Sequence, residues 1–127
     1  MITEVKKINN FFEEGMIIII SSPSGAGKTT ICEKIILNDK KIKLSISYTT
    51  RKKRTSEING KHYKFISKNS FIKMKKNNDF LENAIVFGNN YASPIKDTKK
   101  FLNKGKDILF DIDWQGAKQI RKKFPKH

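Results

Sequence analysis

The sequence predicts an α/β fold built on a parallel sheet, with a smaller β-rich lobe inserted into it. Three observations carry that expectation. Residues 16–21, Met-Ile-Ile-Ile-Ile-Ser, form an apolar run without alternation, the mark of a strand buried on both faces. Residues 107–113 hold a second such run, Ile108-Leu109-Phe110, closed by Asp111 and Asp113. A helical stretch follows each run, whereas residues 45–92 read as short apolar segments broken by polar turns.

Taken in order, residues 1–15 read as a polar, amphipathic lead-in ending at Gly15. The strand at 16–21 leads through a Gly/Ser-rich turn into a helix over 28–37, with Ile31, Ile35 and Ile36 on one side. A second strand is expected at 44–48, a polar loop at 51–60 and a strand at 62–66. Ser67 is placed as the N-cap of a helix covering 71–76. Residues 80–87 read as a strand and Gly88-Asn89-Asn90 as the turn after it. Ser93-Pro94 has the form of a helix start, serine at N-cap and proline at the first helical position, with Gly105 closing that helix. The strand at 107–113 runs into a last helix over 114–123, which Trp114 is expected to pack. The division is thus a lead-in at 1–15, a core at 16–44 and 93–127, and an inserted lobe at 45–92.

Composition narrows the classes. With 37% hydrophobic and 31% charged residues over 127 positions, the chain reads as one soluble globular domain, or one with part of another. The longest apolar run, 16–20, is far too short to span a bilayer, and the first fifteen residues lack the apolar centre of a secretion signal. The lone Cys32 excludes an intramolecular disulfide framework and a cysteine-based zinc site, and reads as a packed helix residue. A cytoplasmic location and no membrane partner are therefore expected. The net charge of +15 invites a nucleic-acid reading. Of the 27 basic residues, however, only Arg51, Arg54 and Arg121 are arginines, and the lysines are scattered without a basic-aromatic motif. No specific nucleic-acid partner is expected.

The strongest chemical signal is Ser22-Pro23-Ser24-Gly25-Ala26-Gly27-Lys28-Thr29-Thr30, between a buried strand and a helix. Gly25 and Gly27 let backbone N–H groups turn inward around phosphate oxygens, and the helix N-terminus adds its positive end. Lys28 supplies a point charge to the β and γ phosphates of a nucleotide, and the Thr29 hydroxyl reaches Mg2+. Ser22 stands where the general pattern has its first glycine. A carboxylate at the end of a parallel strand sits where ligands bind, so Asp111 suits an outer partner of Mg2+. An aspartate there is also a natural helix cap, and Asp111 and Asp113 can divide the two tasks.

A third signal is Ser45-Ile46-Ser47-Tyr48-Thr49-Thr50-Arg51-Lys52-Lys53-Arg54, continuing into Glu57, Asn59-Gly60 and Tyr63-Lys64-Phe65. This run resembles the acceptor-binding segment of guanylate kinases, S-x-S-x-T-T-R-x-P-R-x-G-E-x-x-G-x-x-Y-x-F. Lys53 replaces its proline and Ser56 its second-last glycine. Downstream, Phe80-Leu81-Glu82, Tyr91-Ala92-Ser93 and Asp111-Ile112-Asp113-Trp114-Gln115-Gly116 match in type and order, with Ala92 where the family has glycine. The resemblance implies a P-loop NTPase-type three-layer core with an inserted GMP-binding lobe. It implies phosphoryl transfer from ATP to GMP, giving ADP and GDP, with Mg2+ as cofactor and Lys28, Arg51 and Asp111 as the catalytic set.

The acceptor residues make chemical sense by themselves. Arg51 and Arg54 offer planar forks that can grip one phosphate monoester dianion, and Tyr63 and Tyr91 can add hydroxyl donors. Glu82 can accept from the adjacent N1–H and 2-amino donors of guanine, which adenine lacks. Ser93 can donate to O6, and the resemblance implies that Ser47 and Asp113 complete the base pocket. Family members are considerably longer than this chain. The resemblance therefore implies that the lid and remaining core strands lie beyond His127, and that these residues alone turn over poorly. The alternative is a non-catalytic guanylate-kinase-like binding module, or an inactive remnant that keeps GMP binding.

Overall fold

The computed structural model of the chain describes residues 2–7, 15–21 and 28–123, with side chains described for 15–21 and 31–123. The elements run β1 (Ile2–Lys7), β2 (Met16–Ser21), α1 (Lys28–Asn38), β3 (Ile42–Leu44), β4 (Tyr48–Thr49) and β5 (Lys64–Phe65). They continue as α2 (Lys68–Lys76), β6 (Phe80–Val86), β7 (Asn89–Pro94), α3 (Ile95–Asn103), β8 (Asp107–Ile112) and α4 (Trp114–Lys123). Two compact units result: Met1–Ser45 with Asp97–His127, and Ile46–Lys96.

The first unit holds a four-stranded sheet in the order β1-β2-β8-β3. β8 runs parallel to β2, with Leu109 opposite Ile18, and parallel to β3, with Leu109 opposite Leu44. Alternation sends Ile18, Ile20 and Leu109 to one face, where they pack with Cys32, Ile35, Ile36, Ile42 and Leu44. Ile17, Ile19, Ile108 and Phe110 point the other way and are fully buried. Helix α4 packs on β2 and β8 through Gly116, Ala117 and Ile120. Helix, sheet and helix make the three expected layers, and each β2 or β8 side chain so buried contributes about 1.5–3 kcal/mol.

Several local expectations need correction. β1 pairs antiparallel with β2 from Ile2 opposite Ser21 to Lys7 opposite Met16, where only a polar lead-in was expected. An edge strand has one ladder partner and tolerates charge, so it lacks the signature of a buried strand. Cys32, not Ile31, completes the buried side of α1, since Ile31 is exposed. Trp114 does not pack α4: it stands at the first helical position, off the buried face, and is 69% exposed. Gly15 is needed for space, because its N–H bonds the Leu102 carbonyl at 3.3 Å and a Cβ there would overlap the Lys106 carbonyl.

The second unit holds a sheet in the order β5-β4-β7-β6, with α2 supplying Phe71 to its core. Phe71 and Phe80 pack at 4.8 Å between ring centroids, beside Ala92, Tyr48, Ile66 and Met74. The strand expected at 44–48 is two short strands in different sheets. Ser45 N–H still bonds Leu109 in the first sheet, while the Ser47 carbonyl accepts from Lys64 in the second. β6 and β7 form a hairpin turning on Phe87 and Gly88, with φ +49° and +77°, so Asn89 and Asn90 belong to the strand. Two positive φ values in a two-residue loop match strand twist. Ser93 and Pro94 are also strand residues: Glu82 pairs with Ser93 and Phe80 with Pro94, so helix α3 starts at Ile95. The continuing ladder outcompetes the Ser-Pro helix start.

Candidate functional site

In the second unit, β4 delivers Arg51, β7 delivers Tyr91 and Ser93, and β6 delivers Glu82. The Arg51 backbone is set by its N–H bond to Thr49 Oγ1 at 3.1 Å, and Thr49 Oγ1 in turn donates to the Asn90 carbonyl at 2.9 Å. These bonds pin the start of the arginine loop to the hairpin.

The Arg51 guanidinium donates to two side chains and faces two rings. Nε–H donates to Tyr91 Oη at 3.2 Å, and Nη1 and Nη2 donate to Glu57 Oε1 and Oε2 at 2.9 and 2.8 Å. It also lies 5.3 Å from the Tyr63 ring centroid and 5.8 Å from that of Phe65, within cation–π range. Tyr63 stands edge-on to Tyr91 at 5.7 Å. Arg51, Tyr63 and Tyr91 thus converge. Tyr91 accepts from Arg51 through a lone pair, which leaves its own hydroxyl hydrogen for another acceptor. Arg54 has an exposed side chain, while its backbone N–H donates to Glu57 Oε1 at 2.8 Å.

Glu57 is the residue whose role sequence reasoning missed. The paired hydrogen bonds from Arg51 hold its carboxyl well below the usual range, at about 2, against the opposing effect of burial. Glu57 raises the Arg51 guanidinium above its already high ordinary value. The sequence signals were its match to the glutamate of the acceptor-segment pattern and its place six residues after Arg51 in a loop otherwise rich in cations.

Glu82 is 3% exposed and accepts from Ser93 Oγ at 2.6 Å. A hydroxyl has one hydrogen, so in this arrangement Ser93 presents lone pairs elsewhere. Donation to a guanine O6, as expected from sequence, requires that hydroxyl to turn away from Glu82. Ser47 is half-buried and lies on the strand-like link before β4.

In the first unit, Asp111 and Asp113 end β8. Asp113 caps α4: its Oδ1 accepts from the N–H groups of Gln115 and Gly116 at 3.1 and 3.2 Å, and Oδ2 from Gln115 Nε2 at 2.9 Å. Asp111 is half-buried on the strand itself. Ser22, Pro23, Ser24, Gly25, Ala26 and Gly27 lie outside the described residues, as do the side chains of Lys28, Thr29 and Thr30. What is described is their frame, strand β2 before and helix α1 opening at Lys28. Among the described residues no cluster of three or more His, Cys, Asp or Glu is placed to hold a metal, and no helix is long and apolar enough to cross a membrane.

The guanylate kinase sequence profile matches residues 14–127. The chain belongs to the guanylate kinase family. It is 50% identical over 111 residues to a guanylate kinase of Bartonella henselae, covering 87% of this chain and 50% of that protein. It is 49% identical over 108 residues to one of Rickettsia bellii, covering 85% and 56%. The crystal structure of guanylate kinase from Anaplasma phagocytophilum superposes with a TM-score of 0.78 at 34% identity, over 91% of this chain and 57% of that one. This chain therefore spans about half the length of the guanylate kinases it matches, and the α/β fold is that of the family.

Proposed function

We propose that the chain carries the acceptor site and phosphate-binding loop of an ATP:GMP phosphotransferase, a cytoplasmic guanylate kinase yielding ADP and GDP. The observation that carries the reading is the pairing, in one unit, of a buried carboxylate with an arginine-tyrosine cluster. Glu82 suits the N1–H and 2-amino edge of guanine, and Arg51, Arg54, Tyr63 and Tyr91 suit the phosphate. Residues 45–92 would form the GMP-binding lobe, with Ser47 and Ser93 completing the base pocket. Residues 16–44 and 93–127 would hold ATP through 22–30. Hard oxygen donors suit Mg2+: the Thr29 hydroxyl would hold it directly, and the Asp111 carboxylate at the end of β8 would serve as an outer partner. The ion would neutralise charge on the transferring phosphates. Lys28 would hold the β and γ oxygens and Arg51 the acceptor phosphate, and transfer would be direct and in line.

The test is a thermal melt of the chain with Mg2+ and matched concentrations of GMP or AMP. At a hundredfold excess over Kd, binding to the folded form alone adds about 2.7 kcal/mol. A rise in Tm with GMP and none with AMP is expected. Equal shifts, or none with GMP, would sink the substrate assignment.

A further inference from the structure

Arg51 was read from sequence as a free fork for phosphate, but among the described residues four of its five N–H donors are already engaged. Nε–H goes to Tyr91, one Nη1–H and one Nη2–H to Glu57, and the second Nη1–H to the Lys52 carbonyl at 3.2 Å. Glu57 is itself held. Its Oε1 accepts from the Arg54 backbone, and Lys53 Nζ donates to the carbonyls of Glu57 and Arg54 at 3.0 and 3.2 Å. The Glu57 N–H closes the same turn on the Arg54 carbonyl at 3.0 Å. Both partners of the pair are shielded, with side chains 14% and 13% exposed.

We infer that Glu57 is a positioning residue for the acceptor phosphate. It locks the Arg51 plane against Tyr63 and Tyr91 and fixes the turn that spaces Arg51 from Arg54. A phosphate then meets one remaining Nη2–H of Arg51, the Tyr91 hydroxyl hydrogen and the exposed fork of Arg54, rather than two interchangeable arginine forks. A planar two-bond pair suits this task because it fixes both the direction and the rotation of the guanidinium. Glu57 touches no substrate atom in this scheme and acts through Arg51. The inference rests on the acceptor-site reading above.

The experiment compares GMP with guanosine, which keeps the base and lacks the phosphate, on the unsubstituted chain and on Glu57→Gln, Glu57→Asp, Arg51→Lys and the Arg51→Lys/Glu57→Gln pair. Glutamine turns one oxygen acceptor into an N–H donor facing Arg51 Nη2 and so breaks half the fork. GMP affinity is expected to fall about 10- to 100-fold in Glu57→Gln. Guanosine affinity should hold, which also reports that the variant folds. Glu57→Asp should recover part of the loss. In the Arg51→Lys background, Glu57→Gln should cost little more, because the group it positions is gone. An unchanged GMP affinity in Glu57→Gln overturns the inference alone. An equal loss for GMP and guanosine, or a full additional loss in the Arg51→Lys background, assigns Glu57 to the loop's structure and overturns it too. No GMP binding by the unsubstituted chain overturns the acceptor-site reading and the inference together.

Discussion

Arg51 and Glu57 illustrate how a loop with five basic or acidic side chains settles on one ion pair. A carboxylate within 3 Å of two guanidinium N–H donors gains far more than one facing a solvated lysine. The folded-state value of Glu57, about 2, lies below its ordinary 4.5. Its contribution to stability is therefore complete above about pH 4.5 and is lost as pH falls through about 2. Acid unfolding of the chain beside Glu57→Gln should show a stability difference that is constant from neutral pH to near 5, then shrinks towards pH 2. A difference that persists undiminished at pH 2 would contradict the ion pair. Arg51, Arg54, Tyr63, Tyr91 and Glu82 were all legible as residue types at meaningful spacing. The engagement of Arg51 was not, because hydrogen-bond occupancy depends on where Glu57 and Tyr91 arrive in space.

Elements were legible where local chemistry and tertiary demand agree. Helix α2 begins where Ser67 sits at N-cap, φ −71° and ψ 158°, its Oγ accepting from Ser70 N–H at 3.1 Å. It ends at Lys76 with Asn77 as C-cap, and Asn78 follows at φ +56°, with Asp79 N–H reaching back to Met74 and Asn78 N–H to Lys75. Ser67→Ala should cost about 1 kcal/mol, seen as a lowered midpoint in urea with unchanged slope; a neutral outcome would show that tertiary packing alone holds the helix. Helix α3 closes on Gly105, φ +74°, as its sequence predicted, through bonds from Gly105 to Leu102 and from Lys106 to Phe101. Its start was misread for a physical reason. Ser-Pro favours a helix start locally, but six residues of antiparallel ladder with β6 extend the strand through Pro94.

At the scale of the molecule, the core strands β2 and β8 carry the stability of the first unit. Phe110 is 0% exposed, between Asp111 and Leu109 on the strand that joins β2 to β3. Phe110→Ala should cost about 3–5 kcal/mol, a large part of the 5–15 kcal/mol that typical domains possess. Loss of the cooperative melt or a large fall in Tm is expected; a small change would mean that the opposite face of the sheet collapses readily around the gap. The two units differ in what organises them. The first is held by parallel pairing of strands far apart in the chain, the second largely by a hairpin and the strands laid beside it.

The sequence by itself determined the α/β class, the buried strands, the strand and helix that flank 22–27 and the residue types of the arginine-tyrosine cluster. Those features follow from hydrophobic period and from functional groups at short spacing, both of which are local. Only the tertiary structure decided that β1 is a strand, that Ser93 donates to Glu82, that Asp113 caps α4 and that Glu57 holds Arg51. Each of these depends on a partner distant in space or on competition between two local preferences, and the winner is set by which buried polar group would otherwise be left unpaired.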